Sequence, residues 1–303
     1  MNFEGWGSQR WAIHLSLLLN AANPPDRYRF DIGRLALETS QTIYPADPIV
    51  SVDADNLDGF AGALVPSESR KRWGILYRAG QSRGRTRFTV AHEFGHYLLH
   101  RQKYPGGIHS DEAGVDGRAK IEIEREANDF ASTLLMPFDD FRKKISDKHR
   151  PDFDELSSCA ERYDVSLSAT VLRWLRYTER RAIIVVSTDG FVKWAWSSKP
   201  ALLSGRFIRT SRGPVELPSG SAVGRSEFTP ETKAGIDHAR GVWFDEPVRE
   251  LSFRTEKYDL NYTLLHFDNV DRSPSLAEPH VEDTYDRFNG GAGRLRIIDE
   301  KAD

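Results

Sequence analysis

The stretch Thr89–His100, TVAHEFGHYLLH, decides how the rest of the chain is read. It carries three histidines, His92, His96 and His100, each four residues from the next, with Glu93 directly after the first. An α-helix turns about 100° and rises ~1.5 Å per residue, so side chains four apart stand ~40° apart on one face and ~6 Å apart along the axis. The imidazoles of His92 and His96 can therefore converge on one ion, at the ~2.0–2.1 Å that zinc takes from a histidine nitrogen. Glu93 flanks that ion without binding it and stands where it can take a proton from a water the ion activates. It would then pass the proton to a leaving amine. His100 lies ~12 Å along the axis from His92, too far to share the ion, and is expected to support the site from behind.

Three fixed positions can match by chance in a chain this long, and a helix can carry polar residues for other reasons. The surroundings favour the metal reading. Phe88, Val90, Ala91, Phe94, Leu98 and Leu99 supply apolar helical spacing around the polar set. Gly95 costs about 1 kcal/mol against Ala in a helix interior, which is easier to accept where a second backbone approaches.

A catalytic zinc needs a third protein ligand and an open position. The next helical segment, EIEREANDFASTLLMP (122–137), offers Glu122, Glu124 and Glu126. Glu122 and Glu126 share a face, whereas Glu124 points away from them, on the side of Asn128 and Ala131. Small and apolar neighbours on that side favour Glu124 as the inward carboxylate. The alternative is that all three are solvated, as charge runs usually are.

Here the chain resembles a family. RFTVAHEFGHYLLH followed by EREANDFASTLLMP is similar to the ImmA/IrrE-type metallopeptidases of the gluzincin group. Their pattern is H-E-x-x-H, a variable loop, then E-x-x-x-N and an apolar run ending in L-L-M-P. The matching positions are His92, Glu93, His96, Glu124 and Asn128, closing on Leu134, Leu135, Met136 and Pro137. The resemblance implies that His92, His96 and Glu124 bind zinc, that Glu93 is the catalytic base, and that Asn128 holds a histidine from behind. Manganese is the other ion such a ligand set accepts. It also implies an α+β chain in three parts: a zincin-like metallopeptidase domain over 1–150, a helix-turn-helix-like segment over 151–180, and a C-terminal mixed α/β, GAF-like domain over 181–303. The implied activity is regulatory. Such peptidases cut a helix-turn-helix repressor of the XRE type and so derepress stress or mobile-element genes.

Reading outward agrees with that order. Residues 9–21 are expected to be helical, stopped by Pro24 and Pro25. Residues 28–90 read as short strands: PIVSVDA, FAGALVP and RWGILYRA. Helices are expected over 86–101 and 118–136, with a loop, YPGGIHSDEAGVDG, between them, and Pro137 marks the second stop. FDELSSCAERYDVSLSATVLRWLRY reads as two helices around a short break near Tyr163, Asp164 and Val165. AIIVVSTDGFVKWAWSS is a β-hairpin with an Asp-Gly turn, its alternation placing Val192, Trp194 and Trp196 on one face. RELSFR and YTLLHF are further strands, and a polar tail begins at about residue 272.

Composition bounds the alternatives. The net charge of −3, with 29% charged residues, gives no global field toward nucleic acid or membrane. The single cysteine, Cys159, excludes intrachain disulfides and cysteine-rich zinc sites. The apolar run AIHLSLLL (12–19) is too short to span a bilayer and is interrupted by His14 and Ser16. An amphipathic helix outranks a signal peptide there, and a cytoplasmic protein with no membrane role is expected. Two rival readings remain. In one, Arg173, Arg176, Arg180 and Arg181 face DNA phosphates from the second helix of the pair, and the metal site is structural or vestigial. In the other, Trp194, Trp196 and Trp243 line a small-molecule pocket that gates the peptidase, although aromatics in a sheet are more often plain core.

Overall fold

The computed structural model describes residues 3, 5–22, 26–108, 117–255 and 259–268. The Pro24-Pro25 stop, loop residues 109–116 and the polar tail expected from about 272 lie outside the described residues. The described chain is α+β, with a three-stranded and a five-stranded sheet and helices between and around them.

Helix α1 (Ser8–Ala22) buries Trp11, Ala12 and Leu15, the spacing of one helical face. The small sheet follows as β1 (Ile49–Asp55), β2 (Gly62–Pro66) and β3 (Trp73–Arg78). Strand β3 is central, parallel to β1 and antiparallel to β2, so Ile75 sits opposite both Val52 and Leu64. Between α1 and this sheet runs α2 (Ile32–Ile43), where only strands were expected. Thr39, Ser40 and Thr42 are weak helix formers. The helix is set instead by Asp31, whose side chain caps the Arg34 N–H, and by burial of Ile32 and Ala36 in the core.

Helix α3 (Arg83–His100) lies on the sheet, with Val90, Phe94 and Tyr97 packed in one cluster with Leu64, Trp73 and Ile75. Helix α4 (Gly117–Leu135) packs beside α3 and gives way, across Met136 and Pro137, to α5 (Phe138–Lys144). The next pair is as expected: α6 (Phe153–Tyr163), opened by an Asp152/Glu155 capping box, then α7 (Leu167–Leu175), capped by Ser166. Between them Asp164 takes the left-handed conformation, φ 52°, which an Asp tolerates better than most side chains.

The larger sheet has the order β5-β4-β8-β7-β6, every neighbour antiparallel. Its members are β4 (Ala182–Thr188), β5 (Phe191–Ser197), β6 (Ile236–His238), β7 (Val248–Thr255) and β8 (Leu260–His266). Short helices α8 (Lys199–Leu203) and α9 (Pro230–Ala234) lie in the excursion between β5 and β6. The β4–β5 turn is Asp189-Gly190, both at positive φ, 50° and 80°, as a two-residue hairpin turn matching strand twist requires. Buried Glu250 ties the excursion down, accepting from the backbone N–H groups of Ala222 and Val223, the Trp243 indole and the Ser252 hydroxyl.

One core runs from Trp11 on α1 to Leu264 on β8, through α3, α4, α6 and α7. A second, smaller core lies against the other face of the large sheet. Strand β4 serves both, Ala182, Ile184 and Val186 facing the first and Ile183 and Val185 the second. That explains its unbroken apolar run.

Two expectations are corrected by this packing. The hairpin alternation breaks because the register shifts between Val186 and Ser187, which face Trp194 and Val192 respectively. A one-residue shift turns a side chain to the opposite face. Val192 therefore joins the second core, while Trp194 and Trp196 pack on the first. Trp243 lies on the second side, so the three tryptophans do not line one pocket. Of the four arginines the rival DNA-binding reading names, two are buried and all four have partners within the protein. Arg173 is 2% exposed, donates to the Met136 carbonyl and Thr133 hydroxyl, and stacks 3.4 Å from the Phe138 ring centroid. Arg181 pairs with Glu246, Arg176 with Asp129, and Arg180 donates to the Lys148 carbonyl. Residues 169–175 of α7 are all buried. No helix among the described residues is long and apolar enough to cross a membrane.

Buried His266 donates from Nε2 to the Pro151 carbonyl at 3.1 Å and packs edge-on to Trp174. Burial lowers its pKa to about 4. As pH falls below the ordinary ~6.5 the unfolded chain takes the proton first. Stability present above pH 6.5 is then lost progressively toward pH 4, by about 3 kcal/mol from this group. Urea unfolding across that range should show the loss, and His266→Gln, which keeps a donor for Pro151, should reduce it by about that amount.

Candidate metal centre

The site exists because two helices touch closely. A Cβ on residue 95 would stand 2.9 Å from Phe130 Cδ1 and 3.3 Å from Ala127 Cα. Glycine at 95 thus lets the backbone of α4 settle against α3, as its presence inside a helix suggested. From that contact Glu124 reaches across to the histidines.

His92 Nε2 and His96 Nε2 are 2.9 Å apart. Glu124 places Oε2 3.2 Å from the first and Oε1 3.3 Å from the second. Tetrahedral ligands at zinc distances of ~2.0–2.1 Å stand roughly 3.3–3.4 Å from one another, so the three donors could hold one ion. Two imidazoles and a carboxylate suit zinc and also accept manganese. The open side belongs to a cleft lined by Phe60, Ala61, Gly62, Arg85, Phe88 and Ile108.

The other atoms of the ligand residues are held as well. The Nδ1 of His92 lies 3.1 Å from Asn128 Oδ1, which accepts its proton and leaves Nε2 free to bind. The Nδ1 of His96 is 3.0 Å from Nδ1 of His100, whose own Nε2 is 2.9 Å from Glu126 Oε2. His100 therefore stands behind a ligand and outside the ligand group, as the ~12 Å rise required. Sequence spacing assigns Glu126 no role at the site. Its contact with His100 is made between two helices, and no spacing within one helix signals it.

Glu93 is 5% exposed and not among the three converging donors. Strand β2 closes over it: a Cβ on Gly62 would come within 2.4 Å of Thr89 Cγ2 and 3.0 Å of Glu93 Oε1. Burial raises the Glu93 pKa to about 8. Burial also opposes charge on both histidines, but they end differently. For His92 the hydrogen bond and charge of Glu124 outweigh it and raise the pKa to about 9. For His96 burial prevails and the pKa falls to about 4. Burial likewise opposes charge on Glu124, yet the two imidazoles hold it well below the usual carboxylate range.

Residues 50–175 match the family model described as the IrrE N-terminal-like domain, Peptidase M78. That stretch is similar to an IrrE N-terminal-like domain. It runs from β1 to the end of α7 and contains every residue of the candidate site. Among solved structures, a Mycobacterium tuberculosis transcriptional regulator is similar over 84% of this chain and 76% of its own, with 13% identity and a TM-score of 0.48. No curated protein matches the chain significantly.

The close contact at Gly95 makes a direct prediction. In an exposed helix a Gly→Ala change stabilises by about 1 kcal/mol. Here the added methyl meets Phe130 and the Ala127 backbone, so Gly95→Ala is expected to destabilise by about 1–2 kcal/mol. It should also weaken zinc binding, because Glu124 is pushed from the histidines. Thermal unfolding and a zinc titration check both.

Proposed function

We propose that the chain is a zinc-dependent endopeptidase of regulatory type. One observation carries the proposal: His92, His96 and Glu124 converge, and buried Glu93 lines the same cleft outside the ligand group. The IrrE N-terminal-like domain belongs to a peptidase family, which supports the same reading.

In this reading the chain supplies the following parts. His92, His96 and Glu124 hold the ion, with Asn128 and His100 orienting the two imidazoles. When bound, the ion supplies Lewis acidity, bringing the pKa of a water toward ~7 and polarising the substrate carbonyl. Glu93 accepts a proton from the attacking water as the new C–O bond forms. It then delivers that proton to the departing amine as the C–N bond breaks. Phe60, Phe88 and Ile108 offer apolar walls to a peptide, and Arg85 a charge.

The proposed substrate is a helix-turn-helix repressor of the XRE type, and the proposed setting is the cytoplasm. The 1–150 segment would cut, the 151–180 pair would buttress it, and the 181–303 segment would act as a GAF-like sensor. The rival in which the chain binds DNA through the 151–180 pair loses its support, because Arg173 and Arg181 are buried and paired within the protein. A regulator that only holds a partner, with a structural metal, is the reading the experiment must separate.

Purified chain, zinc and an XRE-type repressor should give cleavage at a defined bond. Glu93→Gln is expected to lower the rate by about 10²–10⁴-fold while zinc content is unchanged. Equal cleavage by both would remove Glu93 from the mechanism. A zinc-loaded wild type that cuts nothing would favour the structural metal.

A further inference from the structure

We propose that Glu126 and His100 form a positioning relay that fixes the tautomer and ring angle of His96. The inference rests on the metal reading of His92, His96 and Glu124, and it adds what holds one of those ligands in place.

His96 turns Nε2 toward the cluster, 2.9 Å from His92 Nε2 and 3.3 Å from Glu124 Oε1. To donate a lone pair to an ion, that nitrogen must carry no proton, so the proton of the neutral ring sits on Nδ1. The group facing it at 3.0 Å is His100 Nδ1, which must then accept. The proton of His100 is consequently on Nε2, and the atom there, at 2.9 Å, is a carboxylate oxygen of Glu126. A carboxylate only accepts. Every proton along Glu126–His100–His96 thus has one place, and the order ends with a lone pair aimed at the ion.

The surroundings keep it so. His96 and His100 are 1% and 4% exposed, which leaves little room for water to satisfy another tautomer. The two metal histidines are held by different devices from the same helix, His92 directly by Asn128 and His96 through His100. Glu124 and Glu126 differ by ~200° around α4. They reach α3 from the two flanks of a contact centred near Ala127, one as a ligand and one as the anchor of the relay. Groups that orient a ligating histidine typically change metal affinity by ~10–100-fold when removed.

The test measures zinc affinity of the full chain by competition with a chromophoric chelator, for wild type, His100→Phe, Glu126→Ala and His100→Gln. His100→Phe should weaken zinc binding by ~10–100-fold, and Glu126→Ala should weaken it less but in the same direction. His100→Gln should recover most of the loss, because its carboxamide can accept from His96 and donate to Glu126. In zinc-loaded wild type, nitrogen–proton NMR should show an exchange-protected Nδ1 proton on His96, and this protection should vanish in His100→Phe while unfolding of the metal-free proteins stays similar. Equal zinc affinity in all four proteins would overturn the relay and leave the metal site standing. No zinc binding by wild type would overturn the metal reading and the relay with it. Should His100→Phe not fold, Glu126→Ala decides, since that side chain is 38% exposed and its removal disturbs little packing.

Discussion

The contact of α3 with α4 at Gly95 is the constraint on which the rest depends. Two helices cannot bring short carboxylate and imidazole side chains onto one point unless their backbones are close. Side chains at the crossing normally keep helix axes 8–10 Å apart. Here the crossing is built from Gly95 and Ala127, and Phe130 lies against the glycine where a methyl would be. The three-stranded sheet supports α3 from behind through Phe94 and Tyr97, and the strand nearest the site crosses Glu93 at another glycine, Gly62. Both glycines are present because of what they leave out.

Burial of so many polar groups would be unfavourable if each were alone. In this molecule they satisfy one another in connected sets. Around the site, Asn128, His92, Glu124, His96, His100 and Glu126 make one chain of contacts between the two helices. Farther away, buried Glu250 collects backbone, indole and hydroxyl donors and pins the β5–β6 excursion to its sheet. Arg173 reaches the end of α4, where carbonyl groups lack helical partners, and lies on the Phe138 ring. These arginines and acids work as mortar between elements. Of the four arginines from 173 to 181, Arg173 and Arg181 are buried and bonded within the fold.

The larger of the two cores ties the segments together. It joins α1, the small sheet, the metal helices, the α6–α7 pair and the near face of the large sheet. The α6–α7 pair sits between the other two parts, with Ser168 bonded to Tyr262 on β8 and Asp164 paired with Arg83 at the start of α3.

Local pattern in the sequence determined the helix of the HExxH stretch, the second helix with its glutamates, the Asp-Gly hairpin and the break at Asp164. Each is written in residues within a few positions of one another, where spacing, caps and turn chemistry act. The same reach favoured Glu124 over Glu122 and Glu126, while it was the resemblance to the ImmA/IrrE-type peptidases that implied Asn128 behind a histidine. Tertiary structure alone decided the rest. Helix α2 forms against its weak helix formers because its buried face is needed by the core. The hairpin bulge sends Val192 and Trp194 to opposite sides, and Arg173 goes inside because the end of α4 waits there. Glu126 finds His100 on a neighbouring helix 26 residues away in sequence. The physical reason is the same each time: periodicity reports which way a side chain points from its own element, and only packing determines what stands opposite.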